Sequence, residues 1–377
     1  MTSTVTDSVL RALSAFRAEN GCAISLYINL DPSSTATAAQ AETRFNALVS
    51  ELEKEAERHS TARDCRLALK HDLARIRAWW GGEFDRDGVK GVAIFASSAD
   101  DEFRALPLPE PVQDLVRIGS ELAVAPLVGQ LGRDGNLVAV LSRERGTVYR
   151  IAGGRLVEIV DETEDTPGQH SQGGWSQARY QRHIEHLVQQ HLKTVGHELD
   201  KQARRTGGLQ LVIVAPDELR SEIENSLSTE AREAVVGWAT AEAHAAPTEL
   251  LEVVRPVLDA ARARGEQEEL ERWQEEHGRG GRAAAGWKQT LDAASDGRVA
   301  VLLVDQSAAV HEAWVCPACG RASADGGRCA LDDARLEPAP DAAELAIHRT
   351  LEHGGSVVRL GAGALGEAAG IGAILRY

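Results

Sequence analysis

Two glycines and a glutamine stand directly before a long helical pattern in this chain. In the stretch GGWSQ, Gly173 and Gly174 come directly before Trp175, and Ser176 and Gln177 follow it. Glycine permits positive φ and lets a backbone approach a ligand closely. A glutamine amide can orient a water molecule without acting as a base. The residue types therefore fit a loop that positions water or occupies a narrow site.

A second stretch, VCPACGRASADGGRCALDD, has the spacing of a metal site. Zinc accepts thiolate and carboxylate ligands in a tetrahedral arrangement, so we predict a structural zinc ion at Cys316, Cys319, Cys329 and Asp332. His311 is an alternative fourth ligand. The competing interpretation is a degenerate zinc ribbon that binds no metal. A complete set of four ligands leaves no open position for a substrate.

The helix that follows the glycines carries a local positive charge. The formal net charge of the chain is −16, which argues against general nucleic-acid binding, so any RNA contact must come from a local patch. Between 176 and 205 the sequence has six Lys and Arg residues against three Asp and Glu residues. The pair His183 and His186 has metal-compatible spacing, but a solvated or RNA-facing stripe explains it better because no third ligand is evident.

The wider pattern predicts an α/β fold with three consecutive α/β domains. Alternating strands and amphipathic helices fill residues 1–130. Residues 131–255 contain three short strands with tight turns, the glycine loop, the long helix and a buried strand, which together predict a mixed sheet with a protruding Gly-rich loop and helix. Residues 256–377 form the third domain, with the cysteine knuckle at 315–336 as a small zinc-ribbon-like insertion.

The loop and helix resemble those of the archaeal and eukaryotic peptide-chain release factors and their Pelota-like relatives. That family has a glycine-glycine-glutamine loop, then an aromatic residue and an arginine that open a long helix. The domain order, the hairpin before the loop, the cysteine knuckle and the ending GIGAILRY are also similar. The comparable positions here are Gly173, Gly174, Gln177, Arg179, Tyr180 and Arg182.

The resemblance implies a factor that enters the tRNA site of the ribosome and cleaves peptidyl-tRNA during ribosome rescue. The substrate would be the ester between the nascent peptide and tRNA, attacked by water beside oxyanion donors. Catalysis would fall to Gln177, Gly173 and Gly174. The partners implied are the ribosome, tRNA and a translational GTPase. The cytoplasm is the expected location. The RNA-binding residues would be Trp175, Ser176, Arg179, Arg182 and Lys193.

The loop also departs from the family pattern, which keeps other functions open. Trp175 follows the two glycines where the family has glutamine, and Gln172 competes with Gln177 as the catalytic amide. A factor that occupies idle ribosomes under stress, without cleaving anything, is the second hypothesis. A third is an RNA-binding or tRNA-processing protein that acts off the ribosome. The simplest alternative is a glycine turn with Ser176 as the N-cap of an amphipathic helix.

Several functions are not expected from this sequence. The Asn-Ile-Lys-Ser tip of codon-reading release factors has no counterpart, which argues against codon-specific termination. A Walker loop is missing too, and GAGALG (Gly361–Gly366) lacks the acidic residue that a dinucleotide site needs downstream. No secretion signal or membrane-spanning segment is predicted, and neither a membrane nor DNA is an expected partner.

Overall fold

The computed structural model describes residues 5–19, 22–59, 63–133, 135–142, 146–161, 193–194, 196–197, 199–201, 210–242, 245–339 and 341–377. The contacts divide the chain into two compact units. Unit 1 contains Met1–Leu131 together with Arg264–Tyr377, and unit 2 contains Gly132–Ala263. None of the helices in the described part is both long enough and apolar enough to cross a membrane.

The N-terminal part of unit 1 is an antiparallel sheet in the order β3-β2-β1-β4. Along β1, side chains alternate between two apolar clusters, as the period of two in its sequence predicts. The long helices α2 and α3 pack on one face through residues such as Phe45, Val49 and Ile76. The elements are α1 Asp7–Ala15, β1 Ala23–Asn29, α2 Ala38–His59, α3 Arg63–Gly82, β2 Gly91–Ser97, β3 Glu102–Leu108, β4 Leu115–Gly119 and α4 Ala125–Val128.

The C-terminal part of unit 1 has a four-stranded sheet in the order β10-β16-β11-β15, and β11 pairs with β15 in parallel. A separate small sheet has the order β13-β12-β14 and carries the cysteine knuckle. The elements are β10 Ala283–Ala285, α8 Gly286–Ser295, β11 Val299–Asp305, β12 Ala313–Val315, β13 Ala322–Ser323, β14 Glu337–Ala339, α9 Ala342–Glu352, β15 Ser356–Leu360 and β16 Ile371–Leu375.

The two parts of unit 1 share one core. The apolar cluster that contains Leu13 and Leu127 also contains Ala346 and Leu351 of α9. The two parts therefore form one compact unit. The division of the chain into three domains at 130 and 255 stays a prediction.

Unit 2 is built on a five-stranded mixed sheet in the order β7-β6-β5-β8-β9. The strand β5 pairs antiparallel with β6 and parallel with β8, which confirms the predicted mixed sheet. Apolar clusters cover both faces. The elements are β5 Leu137–Leu141, β6 Gly146–Ala152, β7 Arg155–Asp161, β8 Leu211–Val214, α5 Arg220–Ser226, α6 Thr229–Ala234, β9 Val235–Ala239 and α7 Pro247–Gly278, the last of which continues past the end of the unit.

Candidate metal centre and loop-bearing helix

Four metal-ligand side chains lie together beside the small sheet. The sulfurs of Cys316, Cys319 and Cys329 and a carboxylate oxygen of Asp332 are all within 4.8 Å of one another. The sulfurs of Cys319 and Cys329 are 3.6 Å apart. Two sulfurs bound at about 2.3 Å to one tetrahedral zinc would be separated by about 3.8 Å. The four predicted ligands are thus brought together in a group that can hold a metal ion.

Two similar backbone turns create this cluster. In the first, the N–H of Gly320 donates to the carbonyl of Cys316 over 2.8 Å, and Gly320 has a φ of +72°. In the second, the N–H of Asp333 donates to the carbonyl of Cys329 over 3.1 Å, and Asp333 has a φ of +57°. The turns match position by position, so Asp332 occupies in the second turn the place that a cysteine holds in the first.

The thiols of the cluster lie within hydrogen-bond distance of the carboxylate of Asp332, which shifts the pKa values of both kinds of group. The Cys316 sulfur lies 3.3 Å from both carboxylate oxygens of Asp332. The N–H of Arg321 lowers the pKa of the Cys319 thiol, but hydrogen bonds to Asp332 and to neighbouring sulfurs, together with burial, raise that pKa to about 12. The hydrogen bond from Cys319, with further donors, lowers the pKa of Asp332 to about 2. A bound cation would take the place of these thiol protons, because a metal binds thiolates.

His311, the alternative fourth ligand, is engaged elsewhere. Its ring stacks on Trp287 with centroids 5.0 Å apart, and its Nδ1 lies 2.7 Å from the carbonyl oxygen of Glu312. The metal-ligand group found among the described residues contains Asp332 instead. The sequence left the choice between these two residues open, and the geometry of the second turn favours the aspartate.

The glycine-rich turn GAGALG binds a carboxylate of the chain itself. Asp305, at the end of β11, is buried and accepts hydrogen bonds from the N–H groups of Gly363 and Leu365, both over 3.1 Å. It also accepts from the N–H and hydroxyl of Ser307 over 2.7 Å. Burial raises the pKa of Asp305, but these donors outweigh it and lower the pKa. Two N–H groups of this turn are therefore already bound to a carboxylate of the chain itself.

Only the last turns of the predicted loop-bearing helix lie within the described residues. Between 193 and 201 the structure describes every residue except 195 and 198, and all of the described ones are helical. Gly196 and Leu199 are buried, whereas Lys193, His197 and Lys201 are exposed. The three exposed side chains are four residues apart along the helix, so they lie on one face. This end of the helix thus has an apolar face toward the unit and a basic face toward solvent.

Contacts hold this helix end against the rest of unit 2. A Cβ added at Gly196 would lie 2.8 Å from the carbonyl oxygen of Ser226, which shows how closely the two segments approach. The carboxylate of Asp200 accepts a hydrogen bond of 2.6 Å from the hydroxyl of Ser228, which also caps α6. The base of the helix is therefore fixed to α5 and α6.

The other predicted loop and helix residues lie outside the described residues. They include every residue predicted to act in catalysis, and among the predicted RNA-binding residues only Lys193 is described. The roles assigned to these positions, and the alternatives for the same loop, stay predictions from the sequence. The positions outside the described residues are Gln172, Gly173, Gly174, Trp175, Ser176, Gln177, Arg179, Arg182, His183 and His186.

The central segment of the chain is similar to known release-factor proteins. Residues 123–262 match the model of Bacterial archaeo-eukaryotic release factor family 10. The chain is 32% identical over 93 residues to Peptide chain release factor subunit 1 of Aeropyrum pernix, a match that covers 24% of this chain and 25% of the relative. The corresponding protein of Methanopyrus kandleri is 34% identical over 90 residues, which cover 23% of this chain and 22% of that protein.

These matches leave most of each relative uncovered, since the chain spans about a quarter of the length of the curated release factors it matches. Among solved structures, the chain is similar to archaeal Pelota in a model described as ribosome-bound archaeal Pelota and ABCE1. That similarity has a TM-score of 0.41 and 12% identity, and it covers 76% of this chain and 77% of the other.

Proposed function

We propose that this chain, a bacterial archaeo-eukaryotic release-factor-like protein through its residues 123–262, is a ribosome-associated translation factor that acts in ribosome rescue. The observation that carries the proposal is the extent of the family match, because the matched segment includes the whole GGWSQ loop and its helix. Codon-specific termination is not part of the proposal, since the chain has no counterpart of the codon-reading tip.

In the proposed reaction, the loop enters the peptidyl-transferase centre and the ester of peptidyl-tRNA is cleaved. Gly173 and Gly174 would let the backbone approach the tRNA end, and the amide of Gln177 would orient the attacking water. Hydrogen-bond donors held beside the ester carbonyl would stabilise the oxyanion as it forms. Gln172, on the other side of the glycines, is the competing candidate for the amide.

A second function, occupancy of idle ribosomes without cleavage, is favoured by one observation. Trp175 stands directly after Gly173 and Gly174, where the resembling family has glutamine. A displacement of about 1 Å at a reacting centre lowers a rate by roughly a hundredfold. A tryptophan at the tip would instead supply a ring that stacks on an RNA base, which favours binding over chemistry.

The basic face of the helix end supports RNA contact in both versions of the function. Lys193, His197 and Lys201 lie along one exposed side, and the sequence has Arg179 and Arg182 nearer the loop. Cationic side chains on RNA phosphates contribute affinity without sequence preference. A translational GTPase is the delivery partner that the family resemblance implies, and work on the ribosome would place the protein in the cytoplasm.

We further propose that the cluster of Cys316, Cys319, Cys329 and Asp332 holds a structural zinc ion. The matched turns and the sulfur separation support tetrahedral ligation. The test is zinc content and affinity of the purified chain. One zinc per chain is expected, and Asp332→Ala should weaken affinity more than tenfold, whereas Asp333→Asn, one residue away and outside the cluster, should not change it. Absence of zinc from both the wild type and a zinc-reconstituted sample would refute the proposal.

The experiment for the main function uses stalled ribosome–nascent chain complexes. Wild type, Gln177→Ala and the matched amide control Gln172→Ala are incubated with the complexes, and the peptidyl-tRNA band is followed on a gel. If Gln177 orients the water, wild type and Gln172→Ala release the peptide, and Gln177→Ala binds ribosomes without releasing it. Intact tRNA among the products indicates ester hydrolysis, whereas a tRNA that has lost its CCA end indicates nucleolytic cleavage.

Each other outcome of this assay selects a different function. An unchanged band in all three samples, with sedimentation on ribosomes, would refute cleavage and establish an occupying factor. Failure of every variant to sediment with ribosomes would reject the ribosomal proposal altogether and favour an RNA-binding protein that acts elsewhere. Loss of activity in Gln172→Ala alone would move the catalytic amide to the other side of the glycines.

A further inference from the structure

Two cysteines that are remote in sequence meet in the N-terminal part of unit 1. Cys22 directly precedes β1, and Cys65 lies in the first turn of α3, with the whole of α2 between them. Their sulfurs are 2.7 Å apart. Both side chains are half-buried against the apolar cluster between the sheet and its two long helices. This pair is separate from the cysteines of the knuckle.

The separation of the two sulfurs indicates the chemistry that they can undergo. A covalent disulfide has an S–S distance of about 2.05 Å. Two thiolates on one tetrahedral zinc would be about 3.8 Å apart, close to the 3.6 Å between Cys319 and Cys329. The pair Cys22 and Cys65 is too close for shared metal ligation and needs only a small approach to bond. The two sulfur separations therefore fit different chemistries, oxidation at Cys22 and Cys65 and metal ligation at Cys319 and Cys329.

We propose that Cys22 and Cys65 form a site of reversible oxidation, closed to a disulfide by a small disulfide oxidant such as oxidised glutathione. One protein sulfur attacks the oxidant, forms a mixed disulfide and releases one thiol. The second protein sulfur then attacks the first, forms the S–S bond and releases a second thiol. The two protein thiols lose two protons and two electrons in total, and the oxidant gains both and becomes two thiols.

The surroundings of the pair distinguish the roles of the two sulfurs. Burial, followed by the hydrogen bond to Cys65, raises the pKa of the Cys22 thiol to about 11. The Cys22 thiol therefore keeps its proton near neutral pH. Because the thiolate is the reacting form, the raised pKa of Cys22 disfavours it as the first nucleophile, so we assign the first attack to Cys65 and the closing attack to Cys22.

The test is peptide mapping of the full chain after oxidation. Reduced protein is treated with oxidised glutathione, the remaining thiols are alkylated, and trypsin is added. The proposal expects peptide 18–44, which contains Cys22, to be linked to the tripeptide 64–66, which contains Cys65, and the linkage to disappear on reduction. Closure should also raise the midpoint of thermal unfolding by about 5 °C or more, because the bond restricts the unfolded chain.

Two single variants give the proposal a second readout. Cys22→Ser should stop at a mixed disulfide on Cys65, which appears as one added glutathionyl group, whereas Cys65→Ser should react much more slowly at Cys22. The proposal is overturned if wild-type peptides 18–44 and 64–66 are recovered unlinked, whether alkylated or each carrying glutathione. Linkage of either peptide to a knuckle cysteine would overturn it as well.

Discussion

His348, a buried residue of α9, has hydrogen-bond acceptors at both ring nitrogens. Nδ1 lies 3.0 Å from the carbonyl oxygen of Ser14, and Nε2 lies 3.0 Å from that of Leu122 and 3.1 Å from the carboxylate of Glu344. A ring that faces only acceptors is satisfied when both nitrogens carry protons. Burial lowers the pKa of His348, but Glu344, with a smaller contribution from Glu121, outweighs it and raises the pKa.

This raised pKa predicts how the stability of unit 1 depends on pH. A histidine whose folded pKa lies above its unfolded value of about 6.5 contributes its full stabilisation below that value. The contribution is lost as pH rises through the folded pKa. Equilibrium unfolding at a series of pH values should show a larger free energy of unfolding for wild type than for His348→Gln at pH 5.5, by about 1–3 kcal/mol.

The difference between wild type and His348→Gln should shrink above neutral pH, because glutamine does not titrate in this range. A difference that stays constant from pH 5.5 to 9 would show that the ring is neutral when buried. The same carboxylate, Glu344, accepts hydrogen bonds from the N–H groups of Val124 and Ala125 over 2.5 and 3.2 Å. Loss of the Glu344 carboxylate would therefore disturb the start of α4 as well.

At the scale of elements, the base of the loop-bearing helix depends on a glycine. Gly196 approaches the carbonyl oxygen of Ser226 so closely that an added Cβ would lie at 2.8 Å. We expect Gly196→Ala to lower the free energy of unfolding by about 1–3 kcal/mol despite the better helix propensity of alanine. Denaturant unfolding would measure this change.

Gly265, in the exposed part of α7, is the matched control, because no atom lies within 4 Å of an added Cβ there. Gly265→Ala should stabilise the chain by about 0.5–1 kcal/mol through helix propensity alone. Stabilisation by both substitutions would mean that the helix end is not packed against Ser226.

The cysteine knuckle is an element whose fold should depend on its metal. Its own apolar cluster contains just three buried side chains among the described residues, Cys316, Cys329 and Leu336, and two of them are proposed zinc ligands. A chelator should therefore lower the thermal midpoint of the knuckle, and Asp332→Cys, which completes a four-cysteine set, should make the knuckle resist a higher chelator concentration. The fluorescence of Trp314, which packs on this cluster, would report the unfolding of the knuckle. Identical midpoints with and without chelator would contradict a structural role for the metal.

The sequence predicts elements whose pattern is local and misses groups that depend on distant contacts. The alternation in AISLYINL predicts β1, and the apolar run VAVLLVD predicts β11 within the observed bounds. The strand β4 is not predicted, because its five residues, LVRIG, are too few to show a period. The CPxCG spacing predicts the metal cluster, since both its turns are local. Nothing local links Cys22 to Cys65, and likewise no sequence motif places His348 against Ser14.

At the scale of the whole molecule, an acidic chain is proposed to bind RNA through one basic face. The net charge of −16 argues against a general attraction to RNA, so we expect the exposed face at Lys193 and Lys201 to contribute to the proposed RNA contact. Replacing both lysines with alanine should weaken ribosome co-sedimentation and reduce the slope of log affinity against log salt by about 1–2. Lys70→Ala, an exposed lysine on α3, is the matched control and should leave both unchanged. An unchanged slope in the double variant would place the RNA contacts elsewhere.

Unit 1 is built from two segments that are separated in the chain by unit 2, so it cannot fold completely until the second segment has been synthesised. The ribosome completes residues 5–131 before residues 341–377, yet Leu13 and Leu127 share a core with Ala346 and Leu351. At about 5–20 residues per second, production of residues 132–263 delays that meeting by on the order of ten seconds. During this interval the nascent chain exposes apolar surface that the described residues of its C-terminal segment cover in the folded chain. We therefore expect a chain truncated before residue 341 to be prone to aggregation.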